Sequence, residues 1–194
     1  MKKFLAVCSI LITLVLTLTA CGGKEEVPAD TAQGSVNESS DAGNEGTAEE
    51  LKEVTVEEVG TFYLPEGFTL EESGISEEGL PMGYASFVKD GMYVDGSRFG
   101  KDAYDAAGLP LPESLEEYSQ RDGVKNGLPE GTEFKTDSYG NLYAEYTVDG
   151  RYCYQVLKMG EESCGAVTFT CDENEKEAAK ELDFALWLSK MQLK

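Results

Sequence analysis

Between positions 141 and 148 the chain alternates: Leu142, Ala144, Tyr146 and Val148 fall on one side, Tyr143, Glu145 and Thr147 on the other. A period of two marks a half-buried strand. Asp149-Gly150 turns it into a second strand at 151–159, and Gly160-Glu161-Glu162-Ser163 turns that into a third at 165–171. Two such short connections predict three successive antiparallel strands. Earlier, Val54, Val56 and Thr61-Phe62-Tyr63-Leu64 read as strand, stopped by Pro65-Glu66-Gly67, and Phe68-Thr69-Leu70 begins another. Tyr84-Ala85-Ser86-Phe87-Val88 is followed by Lys89-Asp90-Gly91, a turn that returns the chain as Met92-Tyr93-Val94. Asp-Gly is favoured where both central residues of a hairpin turn need positive φ.

Helical spacing replaces alternation in three places. Residues 101–107 suit one or two turns, with Gly108 as C-cap and Pro110 and Pro112 preventing continuation. Ser114 can cap a central helix with Glu117 at its third position, laying Leu115 and Tyr118 on the sheet, before Gly123, Gly127 and Pro129 return the chain to loop. Asp172, with Glu175 three residues on, caps a helix expected over 173–191. Ala178, Leu182, Ala185, Leu186 and Ser189 make its apolar stripe, widened by Phe184, Trp187 and Leu188. The expected fold class is α+β: an antiparallel sheet packed against a long C-terminal helix and a shorter central helix.

The first 53 residues belong to a different regime. Lys2 and Lys3 precede an apolar run from Phe4 to Leu18, which is too short and too diluted by Ser9, Thr13 and Thr17 for the roughly 20 residues of a membrane span. A basic start and a short apolar core ending in small residues predict export. The sequence Leu18-Thr19-Ala20-Cys21 resembles a bacterial lipoprotein signal peptide, and that resemblance implies cleavage after residue 20 and diacylglycerol on Cys21. The protein would then be lipid-anchored on the extracytoplasmic face of the cell membrane. Residues 22–53 carry nine acids against Lys24 and Lys52, no aromatic, and only Val27, Val36 and Leu51 as larger aliphatics, the composition of a disordered acidic linker. Residues 54–194 remain as one globular domain.

Leu64-Pro65-Glu66-Gly67-Phe68, the Ser114-Leu115-Glu116-Glu117-Tyr118 helix, the tyrosine-rich strands through Tyr154 and Phe169 and the long final helix resemble the Mog1/PsbP-like α/β/α sandwich of small bacterial lipoproteins. That family has members in nuclear transport and photosystem assembly, and no functional motif of either group matches here residue by residue. What the resemblance implies is a non-enzymatic scaffold or interaction module.

Candidate chemistry is sparse. With no histidine in the chain, imidazole bases, Ser-His-Asp and Cys-His arrangements and histidine metal sites are excluded. No phosphate loop is present, and no cofactor or metal is expected. Asp172, Glu173, Asn174 and Glu175 crowd oxygen ligands without EF-hand spacing, and capping explains them; Asp90, Asp95, Asp102 and Asp105 read as solvated turn and helix-face positions. Of the domain's cysteines, Cys153 faces Cys171 if the last hairpin is symmetric about Glu162, which leaves a disulfide and two buried thiols as equal readings. Cys164, near the turn, is then the candidate reactive thiol. Tyr152 and Tyr154 share a strand face with Tyr143 beside them; uncovered, they form a surface for peptide or glycan, and covered by the last helix they are core. The domain's 28 acids against 12 Lys/Arg oppose nucleic acid and favour basic partners. The expected function is a membrane-tethered binding or structural accessory module with an envelope protein or glycan as partner; a hydrolase using paired acidic residues on envelope carbohydrate or peptide is the alternative.

Overall fold

Two meanders meet at the centre of one large sheet. The computed structural model describes residues 50–76 and 80–194, so the expected signal segment, Cys21 and most of the expected acidic linker lie outside the described residues. Strands β1 (Leu51–Val56) and β2 (Gly60–Pro65) form a hairpin of their own. Strands β3 (Thr69–Ser76), β4 (Met82–Lys89) and β5 (Met92–Gly100) make the first meander, and β6 (Lys135–Thr136), β7 (Leu142–Val148), β8 (Arg151–Met159) and β9 (Ser163–Asp172) the second. Pairing of β5 with β9 joins them in the order β3-β4-β5-β9-β8-β7-β6, antiparallel throughout. Both Asp-Gly turns have positive φ at each residue, 49° and 80° at Asp90-Gly91 and 51° and 75° at Asp149-Gly150. This is the backbone that matches strand twist in a two-residue hairpin loop.

The domain starts earlier than its composition suggests. Leu51 already pairs with Pro65 and Glu53 with Tyr63, so strand begins three residues before the expected boundary at 54. Lys52 and Glu53 are exposed, and Lys52 is salt-bridged to Glu66 at 2.8 Å. An edge strand with charged outer positions is compositionally close to a linker.

The expected helix over 173–191 is instead three short pieces: a single 3-10 turn at Glu173–Glu175, then α4 (Lys176–Ala179) and α5 (Phe184–Lys190). Asp183 causes the restart, because its side chain accepts a hydrogen bond from the Leu186 amide at 3.3 Å and caps α5. After α5 the backbone becomes extended at Met191, and Gln192–Leu193 (β10) pairs with Thr61 and Gly60 of β2. Arg98 Nε and Ser163 Oγ then donate to the Lys194 carbonyl at 2.8 and 2.7 Å. The final residues therefore complete a second, three-stranded sheet, β1-β2-β10.

This small sheet and α5 cover one face of the large sheet. Phe62 and Leu64 of β2 and Phe184, Trp187, Leu188 and Met191 of the last segment bury themselves against Phe87, Val94, Val156, Val167 and Phe169. Two glycines permit the close approach. A Cβ on Gly96 would stand 2.4 Å from the Phe62 ring, and one on Gly83 would stand 2.0 Å from the Glu58 carbonyl oxygen. The other face is covered at one end by three short helices between the meanders, α1 (Lys101–Ala106), α2 (Leu115–Ser119) and α3 (Asp122–Lys125), which pack Tyr104 and Tyr118 over Leu157 and Cys164. Ser114 caps α2 as its spacing predicts, accepting from the Glu117 amide at 3.1 Å. The single turn of α3 runs through Gly123, where glycine made loop the expectation.

Candidate ligand site

The tyrosines singled out in the sequence converge at the β7–β8 side of the α5-covered face. Because Glu145 pairs with Tyr154 and Tyr143 with Val156 in the β7–β8 register, Tyr143, Glu145, Tyr152 and Tyr154 point the same way. Tyr143 stacks on Tyr154 with centroids 4.5 Å apart, and Phe184 meets Tyr154 edge-on at 5.1 Å while lying flat on Phe169 at 4.5 Å. Tyr152 and Tyr154 are thus core residues, 1% and 6% exposed, and Tyr143 is half-buried. An open aromatic strip is not what these three form. The outer edges of Tyr152 and Tyr154 instead border a shallow depression of about 400 Å³ between β7–β8 and the α4–α5 break, lined by Glu145, Lys180, Asp183 and Ala185 among others.

Polar groups fix the rim. Tyr154 donates to Asp137 Oδ2 at 2.8 Å, and the same carboxylate accepts from the amides of Tyr139 and Asn141 and from the Asn141 side chain. Burial pushes the Asp137 carboxyl up, but these donors together outweigh it and hold it below its ordinary range. Glu145 behaves alike: desolvation opposes ionisation, and Lys176 at 3.2 Å with Lys180 at 3.7 Å reverses the balance. Lys176 also lies 4.7 Å from the centre of the Tyr152 ring. Tyr152 and Tyr154 are pushed well above the ordinary phenol range, chiefly by burial, so both hydroxyls stay protonated donors. Tyr139, an exposed residue the sequence reading passed over, donates to Asp183 and ties the 137–141 turn to the α5 cap. Ionised carboxylates, lysines and an aromatic floor suit polar-ligand recognition. Neither Asp137 nor Glu145 supplies the protonated acid that a glycosidase pair requires.

The cysteines are arranged differently from the expectation. The β8–β9 hairpin is centred between Glu161 and Glu162, which sets Cys153 opposite Thr170 and Cys171 opposite Tyr152. A one-residue slip exchanges faces. Cys171 therefore lies under the α5 side with Tyr152, Cys153 is on the other face, and a Cys153–Cys171 disulfide is ruled out by the pleat. Cys164 is no reactive thiol: it is fully buried, 3.3 Å from the Tyr104 hydroxyl, and burial pushes all three thiols up. Accordingly, a thiol reagent such as Ellman's should label none of these three in the native protein and all three in denaturant without reductant; fewer than three would mean a bridge. Asp172, from the acidic group after β9, caps the 3-10 turn through the Asn174 amide at 3.0 Å.

No family model and no curated protein matches this sequence. Among solved structures, the solution structure of cyanobacterial PsbP (CyanoP) from Synechocystis sp. PCC 6803 overlaps it with a TM-score of 0.47 at 13% identity, covering 78% of this chain and 98% of that one. An overlap of that size is partial, and membership of the family stays a resemblance.

Proposed function

We propose that this chain is a lipoprotein, anchored through Cys21 on the extracytoplasmic face of the cell membrane, whose domain binds a polar envelope protein or glycan. The reading rests on the depression described above: tyrosine edges at its floor, and Glu145, Lys180 and Asp183 at its rim. Flat aromatic surface beside fixed donors and acceptors suits sugar rings and peptide groups. The lipid places such a site at the envelope, and the acidic linker, repelled by an anionic bilayer, holds it off the surface.

The experiment is a pull-down from solubilised envelope with the whole chain, run beside a Glu145→Gln/Lys180→Ala variant and an unrelated domain of similar acidity. A saturable ligand retained by the parent and lost from the variant is the expected outcome. Retention no greater than by the acidic control would sink the reading.

A further inference from the structure

On the face of the large sheet opposite α5, α1–α3 and the segment after them pack Tyr104, Tyr118, Val124 and Phe134 with Leu142, Leu157, Met159 and Cys164. Toward β4 and β5 the face is half-buried at Tyr84, Ser86, Tyr93, Asp95 and Thr168, whereas Ala144 and Cys153 on β7 and β8 are buried. Register sets Ser86, Asp95, Thr168 and Gln155 side by side across β4, β5, β9 and β8. Tyr93 stands two residues along β5 from Asp95, and Tyr84 two residues along β4 from Ser86, so a phenol flanks the carboxylate on either side. Asp95 is therefore mid-strand and central, where the sequence reading had it in a solvated turn.

Its hydrogen bonding is incomplete. Ser86 Oγ donates to Asp95 Oδ1 at 2.6 Å and is its one donor among the described residues, although an ionised carboxylate has about four acceptor sites. Arg151 acts on it only at a distance, because that guanidinium lies 4.7 Å from the centre of the Tyr93 ring and donates to the Gly91 carbonyl. Burial pushes the Asp95 carboxyl up, so its charge costs the fold stability at neutral pH. Aspartate is a poor strand residue as well. A carboxylate with a single donor, held between two tyrosines, is complementary to a cation: charge meets charge, and the rings add cation–π attraction of the kind Arg151 already makes with Tyr93. The domain's excess of acids draws basic polypeptides toward it.

We propose that Asp95, set between Tyr84 and Tyr93, receives a lysine or arginine side chain of a basic partner polypeptide lying across the open face of the sheet. This surface is separate from the Glu145–Lys180 depression and does not depend on it.

The test is an amide chemical-shift titration of the full chain in detergent with acetyl-Gly-Arg-Gly-amide and acetyl-Gly-Lys-Gly-amide. Saturable shifts centred on Tyr84, Ser86, Asp95 and Thr168 are expected. Asp95→Asn, isosteric and able to keep the Ser86 bond, should weaken binding about tenfold, the loss of one charge-assisted contact, with Tm equal to or above the parent. Glu177→Gln on α4, where the carboxylate side chain is 87% exposed, removes the same charge elsewhere and should leave affinity unchanged. If Asp95→Asn fails to fold, Ser86→Ala carries the same comparison, since it frees the carboxylate from its fixed orientation. Equal affinities for the Asp95 and Glu177 variants, or shifts spread over the whole acidic surface, would reduce the effect to net charge and overturn the proposal. A lowered Tm with unchanged affinity would make Asp95 a structural residue and overturn it too.

Discussion

Replacing Phe62 with alanine is expected to destabilise the domain by about 3–5 kcal/mol, read as a lower urea midpoint and a Tm reduced by roughly 10 °C or more. Phe62 is 1% exposed, packs its ring against Phe87 with centroids 4.8 Å apart, and rests over Gly96. Alanine there removes one of the side chains by which the small sheet docks on the large one. The double substitution is more discriminating than the single. Gly96→Ala alone drives a methyl into the ring and should itself destabilise, by the roughly 1–3 kcal/mol typical of overpacking. In the Phe62→Ala background the same methyl enters the vacated space, so most of its cost should vanish. Strict additivity of the two changes would mean that the sheets do not meet through this pair.

Replacing Cys21 with serine is expected to release the protein from the membrane. Two acyl chains give a durable tether, whereas neither the acidic linker nor the acidic domain has attraction of its own for an anionic surface. Detergent phase partitioning should move the variant wholly to the aqueous phase, and intact mass should lack the diacylglycerol increment. A serine variant that still sediments with membranes would refute lipid anchoring at this position. Among the described residues no helix is long and apolar enough to cross a membrane, so the test bears on the segment before the domain.

The strands were legible because their evidence is local. Asp90-Gly91 and Asp149-Gly150 specify turns that leave the flanking pattern little freedom, and the alternation from Leu142 to Val148 fixes sidedness within a strand. Sidedness between strands was not legible where the turn was longer. At Gly160 to Ser163 a centre displaced by half a residue moved Cys153 and Cys171 to opposite faces. The final helix failed for a related reason. An apolar stripe with a period of 3.6 residues survives a one-turn interruption, so nothing in the periodicity distinguishes Asp183 as a new cap from Asp183 on a solvated face. β10 could not be foreseen from two residues whose partner lies in β2.

At the candidate sites the division is the same. Sequence grouped Tyr143, Tyr152 and Tyr154 correctly on one face, because that follows from alternation. Whether the face was open depended on where the broken helix landed. Asp95 was missed because an isolated aspartate near Gly91 and Gly96 reads as turn; its signal was the continuation of alternation from Met92 through Val94, with glycine at 96 standing where an apolar residue would otherwise be.

The pairing of β5 with β9 also governs how this domain comes into being. Ser97 and Ala166 are neighbours in the sheet and 69 positions apart in the chain. Each meander can form from its own hairpins within microseconds, but joining them requires closing a long loop before any central contact rewards it. Until then β5 and β9 are bare edges, each a template for the wrong partner. Closing this central pairing is therefore the step expected to set the pace of folding, nearer milliseconds to seconds than the microseconds of a hairpin, and the two edges it buries are the ones most exposed to mispairing until it closes.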